Sequence, residues 1–169
     1  MKLVIIPTLN EKKNLVNIYR GIKKNKIKLD ILFVDDNSSD GTRSQIINLQ
    51  KKDKKIKYIF RPKKLGIGSA HKDGLKYAYK KKYNTIITMD ADGTHNPKYI
   101  KTLLKFSNKF NLISTNRFFK KKSLSEWPIH RRFLTKVRYY LINFLLDTNY
   151  DSSGAYRCYN ANKIKLTDI

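Results

Sequence analysis

Met89-Asp90-Ala91-Asp92 sets two carboxylates one residue apart, directly after the strand-like run Asn84-Thr85-Ile86-Ile87-Thr88. Alternate residues of an extended segment share a face, so Asp90 and Asp92 are expected to enter one cleft. Two close carboxylates repel and raise each other's pKa unless positive charge lies between them. A hard divalent cation that also grips a diphosphate suits such a pair. The pair alone is a weak signal, because aspartates at strand ends also serve in turns. His95 is a further candidate donor beside it, although Mg²⁺ prefers oxygen.

Other polar residues stand at comparable places. Thr8-Leu9-Asn10-Glu11 follows the apolar run Leu3-Val4-Ile5-Ile6, and Asp35-Asp36-Asn37 follows the run over 29–34. Thr8 and Glu11 have capping-box spacing. Gly66 and Gly68 precede a helix-like segment, where they either cradle phosphate or make a tight turn. Arg117 and Arg131 carry guanidinium forks suited to phosphate, and read equally well as solvated cations in a basic chain. Asp151 reads as a turn or cap residue.

The elements that must position these residues alternate. Strands are expected over 2–6, 29–34, 56–60 and 84–90, and helices over 11–24, 40–52 and 69–82. The first helix carries Leu15, Ile18 and Ile22 at helical spacing, and the second Ile46, Ile47 and Leu49. Asn96 and Pro97 have the chemistry of an N-cap and a first helical position. A further strand follows over 111–115, then a basic irregular stretch over 116–127. A basic amphipathic helix is expected over 130–146, and a turn from Asp151 leads into a last strand. Strands alternating with helices predict an α/β fold, a mostly parallel sheet covered on both faces. Ligands of such sheets bind at the carboxyl ends of the strands, where the polar clusters lie.

Composition sets the bounds. The chain has 169 residues, 40% of them hydrophobic, with four prolines, which excludes a disordered polypeptide. The formal net charge of +24 calls for an acidic partner: nucleic acid, an anionic membrane surface or a phosphorylated substrate. The basic residues are spread along the chain with no recognised nucleic-acid motif, so nucleic acid is not the expected partner. The single cysteine, Cys158, excludes an internal disulfide and reads as a small residue packed in a strand. Pro7 ends the first apolar run, and no run approaches the roughly 20 residues of a membrane span. A cytoplasmic location is expected, with membrane contact peripheral or made through an anchoring partner.

In order, these motifs resemble the family-2 inverting glycosyltransferases, and within them the dolichol-phosphate (polyprenyl-phosphate) mannosyltransferases. The resemblance rests on Pro7-Thr8-Leu9-Asn10-Glu11, Val34-Asp35-Asp36-Asn37-Ser38-Ser39-Asp40-Gly41-Thr42, Arg61-Pro62-Lys63-Lys64-Leu65-Gly66-Ile67-Gly68-Ser69-Ala70 and Met89-Asp90-Ala91-Asp92. It extends through Arg117, the segment over 127–135, and Ser153-Gly154-Ala155-Tyr156-Arg157. It implies a GT-A fold in one domain over 1–169, with a nucleotide-sugar part over 1–115 and an acceptor-side part over 116–169. It implies a nucleotide-diphosphate sugar as donor, usually GDP-mannose, and a polyprenyl or dolichyl monophosphate as acceptor. Pro7, Leu9, Glu11, Val34, Asp36, Lys64, Gly68, Asp90, Ala91, Asp92 and Arg117 then contact the nucleotide sugar. Asp90, Asp92 and Thr94 hold Mg²⁺ or Mn²⁺, and Arg117, Arg131 and Thr135 meet the acceptor phosphate. Asp90, Asp92, Arg117 and Arg131 form the implied catalytic set. The chain departs from the family pattern at Leu9, usually Tyr, and at Thr94, often Gln. Relatives continue past the position of Ile169, so the acceptor side is expected to be shortened. A UDP-sugar donor with another lipid or glycan acceptor, an inactive partner, and a basic nucleic-acid-binding protein are the competing readings.

Overall fold

A computed structural model describes residues 1–118 and 128–169. Trp127 and the Lys120 to Lys122 run lie outside the described residues. One compact unit comprises residues 1–113 and 156–169, and a second comprises residues 114–155.

The first unit is built on a six-stranded sheet. Its strands are β1 (Lys2–Thr8), β2 (Asp30–Asp35), β3 (Ile56–Phe60), β4 (Thr85–Thr88), β5 (Leu112–Ser114) and β6 (Arg157–Asn160), in the spatial order β3-β2-β1-β4-β6-β5. The strands β3, β2, β1 and β4 run parallel, and β6 lies antiparallel on β4. The central parallel strands β1, β2 and β4 are buried on both faces, as a sheet covered on both sides requires, whereas β3 at the edge is partly exposed. Val4, Ile6, Ile31, Phe33 and Ile87 pack on α1 (Lys12–Lys23), α2 (Thr42–Lys52) and α4 (Ile100–Phe106). Leu3, Ile5, Leu32, Val34 and Ile86 point the other way, onto α3 (Ile67–Lys80). The helix α3 approaches β1 through Gly74, where a Cβ would lie 2.4 Å from Ile5 Cγ2.

The element order agrees with the sequence reading, and three local expectations are corrected. The capping box is not made: Thr8 Oγ1 donates to Asp35, and the Glu11 carboxylate accepts from the Asn14 amide. The strand β1 runs through Thr8, so its hydroxyl is buried in the sheet instead of facing the helix end. The helix α1 accordingly starts at Lys12 with no side-chain cap on Glu11. The helix α3 starts two residues early, at Ile67, because Gly66 turns the chain at φ 92°. The strand β4 ends at Thr88, short of the aspartates. The Asn96–Pro97 start is as expected: the Asn96 side chain accepts from the Lys98 N–H and opens a 3₁₀ turn, Pro97–Tyr99, that runs into α4.

In the second unit, α5 (Ile129–Leu145) follows Pro128. None of its residues is buried, and Ile129, Phe133, Leu134, Tyr140, Phe144 and Leu145 are all more than 60% exposed. Among the described residues no helix is long and apolar enough to cross a membrane.

Candidate active site

The carboxyl ends of β1, β2 and β4 carry the polar clusters, and each loop is held by side chains of its own motif. At the end of β2, the buried Asp35 carboxylate accepts from Thr8 Oγ1, the Ser38 N–H and hydroxyl, and Arg43 Nε at 2.6 Å. Asn10 and Asn37 take left-handed backbone, with φ 58° and 68°, a conformation that asparagine tolerates. The Asn10 N–H donates to Ser38 Oγ, and the Ser39 N–H to Asn10 Oδ1, which ties the β1 and β2 loops together. Pro7 and Val34 are buried, while Leu9 and Glu11 are half-buried at this edge.

Asp36 organises the next loop. Its Oδ1 accepts from Arg61 Nη1 and the Leu65 N–H, both at 2.9 Å, and its Oδ2 from the Gly66 N–H at 2.8 Å. Arg61 is itself buried, donates to the Gly66 carbonyl and Ser69 Oγ, and lies 3.3 Å from Asp73. The segment carrying Lys63, Lys64 and Gly68 is thus held over β2 by one buried ion pair. The sequence signal for this role of Arg61 is an arginine that precedes a proline directly after a strand.

The aspartate pair is arranged by a turn and not by strand alternation, which corrects the expectation that an extended backbone aims both side chains. The Met89 N–H makes the last bond to β1, on the Ile5 carbonyl. The chain then bends through Gly93 at φ 84°, and Asp92 Oδ1 accepts from the Thr94 N–H at 3.0 Å and hydroxyl at 2.6 Å. Asp92 and Thr94 are exposed, Ala91 is buried, and the Asp90 side chain is 24% exposed. Two histidines flank Asp90: His71 Nε2 at 3.8 Å from Oδ1, and His95 Nδ1 at 3.7 Å from Oδ2. His95 Nδ1 accepts the Asp90 N–H at 2.8 Å, so it has no proton to offer the carboxylate. The His95 ring stacks on Tyr156, whose hydroxyl donates to the Asn96 carbonyl. His71, on α3, escaped the sequence reading; only an α/β topology that lays α3 beside the end of β4 could have found it.

The donor set Asp90, Asp92 and Thr94 is all oxygen, which fits Mg²⁺ or Mn²⁺. Among the described residues no three His, Cys, Asp or Glu side chains converge to hold a metal unaided. A cation there would draw its other ligands from phosphate oxygens and water, as Mg²⁺ commonly does.

In the second unit, Arg117 Nε and Nη2 grip Asp151 Oδ2 and Oδ1 at 2.7 and 2.9 Å, and Nη2 also donates to Ser153 Oγ. Burial would raise the Asp151 pKa; the Arg117 and Ser153 bonds outweigh it and hold the carboxyl below its usual range. Asp151 therefore does more than the expected turn: it is the buried anchor of Arg117. Arg131 and Thr135 lie on α5, where a groove of about 280 Å³ is lined by them with His130, Leu134 and Arg138. In the first unit, burial pushes the Cys158 thiol up to about 12, as a packed strand residue requires.

Residues 3–165 match the family model described as glycosyl transferase family 2. The chain is 31% identical over 170 residues to the polyprenol monophosphomannose synthase of Mycolicibacterium smegmatis, covering 99% of this chain and 64% of that protein. It is 28% identical over 168 residues to the undecaprenyl-phosphate mannosyltransferase of Micrococcus luteus, covering 99% and 69%. The chain thus spans roughly two thirds of the length of these curated relatives. Among solved structures it is similar to glucosyl-3-phosphoglycerate synthase from Mycobacterium tuberculosis in complex with phosphoglyceric acid, with TM-score 0.64 and 14% identity over 96% of this chain and 57% of that one. It is also similar to S. aureus TarS 1-349, with TM-score 0.57 and 21% identity over 68% and 35%. These two likenesses are of fold, a GT-A-like α/β sheet.

Proposed function

The chain belongs to glycosyl transferase family 2, and from that premise we propose that it transfers mannose from GDP-mannose to a polyprenyl or dolichyl monophosphate, inverting the anomeric carbon. The observation that carries this reading is the convergence of the motif loops at the carboxyl ends of β1, β2 and β4 in one unit. The mannose transfer named in both curated relatives supports it.

In this reading Pro7, Leu9, Glu11 and Val34 line the nucleoside site. Asp36 acts by holding the 61–66 loop, so that Lys64 and Gly68 meet the diphosphate. Asp90, Asp92 and Thr94, with Ala91 between the two carboxylates, hold Mg²⁺ or Mn²⁺. When bound there, such an ion would neutralise charge developing on the diphosphate leaving group. The acceptor oxygen is already anionic near neutral pH, so transfer needs no general base; it needs cations to hold one anion against another. Arg131 and Thr135 receive the acceptor phosphate, and Arg117 joins them as a hydrogen-bond donor whose charge Asp151 offsets. Single displacement by that oxygen inverts the sugar. The exposed apolar and basic face of α5 suits the interface of an anionic membrane, where a lipid acceptor resides.

Leu9 offers no ring for base stacking, which keeps a UDP-sugar donor as the second reading. Calorimetry with GDP-mannose and UDP-glucose, with and without Mn²⁺, separates the two. GDP-mannose is expected to bind in a metal-dependent way, and Asp92→Ala to abolish that dependence while leaving the fold intact, since Asp92 is exposed. Absence of binding by any nucleotide sugar would overturn the transferase reading.

A further inference from the structure

His71 flanks Asp90 but has no role in the proposed transfer. It projects from the first turns of α3, its side chain is 17% exposed, and both ring nitrogens are buried without a hydrogen-bond partner among the described residues. Any protonation state of an imidazole carries at least one N–H, and a buried ring with neither nitrogen engaged is unfavourable. Its Nε2 stands 3.8 Å from Asp90 Oδ1, too far for a hydrogen bond. Two donors that share one ion at bond lengths of about 2.1 Å stand roughly 3–4 Å apart, which matches this separation.

We propose that His71 Nε2 is a ligand of the divalent cation at the Asp90–Asp92 pair, and that it biases the site toward transition ions such as Mn²⁺ over Mg²⁺. Imidazole nitrogen suits transition ions, whereas Mg²⁺ is selected by oxygen. His71 would add a nitrogen to the Asp90, Asp92 and Thr94 oxygens; among the described residues no three His, Cys, Asp or Glu side chains converge by themselves, so diphosphate oxygens would complete the shell. His95 is equally close to Asp90 but is excluded at Nδ1, which already accepts the Asp90 N–H. The inference rests on the proposed donor reading.

The test is Mn²⁺ binding followed by electron paramagnetic resonance, with GDP as the diphosphate probe and Mg²⁺ as competitor. Pulsed spectra of the wild-type Mn²⁺–GDP complex are expected to show coupling to a histidine nitrogen. That coupling should vanish in His71→Gln and in the ring-preserving His71→Phe, and persist in His95→Gln. The preference for Mn²⁺ over Mg²⁺ should fall about tenfold or more in the His71 variants. A wild-type Mn²⁺–GDP complex without nitrogen coupling overturns the ligand role while leaving the donor reading standing, and this needs no variant to fold. Coupling that survives in both His71 variants overturns it as well. Failure of the wild-type protein to bind Mn²⁺ with GDP overturns the donor reading and this inference together.

Discussion

At the residue scale, the acidic side chains divide by what they hold. Asp35, Asp36 and Asp151 spend their oxygens on the protein, whereas Asp92 gives one oxygen to a turn and sits in the open. The Asp36–Arg61 pair is buried on both sides, with side-chain exposures of 5% and 4%. Asp36→Ala would leave Arg61 charged and buried, with Asp73 as a partial substitute. A loss of about 3 kcal/mol is expected in urea denaturation, and a loss near zero would show that Asp73 suffices. The Asp151–Arg117 pair yields a pH dependence. The folded-state pKa of Asp151 lies below its ordinary value of 3.8. The pair's stabilisation is therefore complete well above that value and is lost as pH falls through the lower folded pKa. Arg117 remains 26% exposed, so Asp151→Asn is expected to cost about 2 kcal/mol at neutral pH, less than a fully buried pair. The difference from wild type should shrink below about pH 4; a difference unchanged in acid would mean that the carboxylate charge is not what holds the turn. Of this division the sequence revealed the residues and not their partners. Arg61 and Asp36 are separated by a helix and a strand, and His71 meets Asp90 only through the packing of α3.

At the element scale, the strands and helices were legible because a covered parallel sheet demands unbroken apolar runs, and Leu15, Ile18 and Ile22 repeat at helical period. Their ends were less legible, because hydrogen bonds decide them and composition does not. The strand β4 stops where Asp90 and Asp92 turn to side-chain bonding, and α1 begins where Thr8 is lost to β1. Close approach of elements left a clearer mark. A methyl at Gly74 would collide with Ile5 Cγ2 at 2.4 Å. Gly74→Ala gains about 1 kcal/mol of helix propensity and loses about 1–3 kcal/mol to overpacking. Net destabilisation is expected, and with Ile5→Ala the two losses should be less than additive. Strict additivity in that cycle would remove the steric explanation.

At the scale of the whole molecule, a net charge of +24 and the exposed face of α5 act together. The protein is expected to cosediment with vesicles rich in anionic lipid more than with neutral ones, and to be released by salt. Phe144→Ser, at a side chain 85% exposed, should weaken vesicle binding even at low salt; an unchanged affinity would mean that charge alone accounts for adsorption. The sheet order has a consequence for synthesis on the ribosome. The partner that β4 needs on its outer side, β6, is made only after the entire 114–155 excursion. Until Arg157–Asn160 emerges, a nascent chain carries an open apolar sheet edge, the part of any fold most prone to pairing with a neighbour. Cys158 lies in that last strand, so sealing the edge and shielding the sole thiol are a single event.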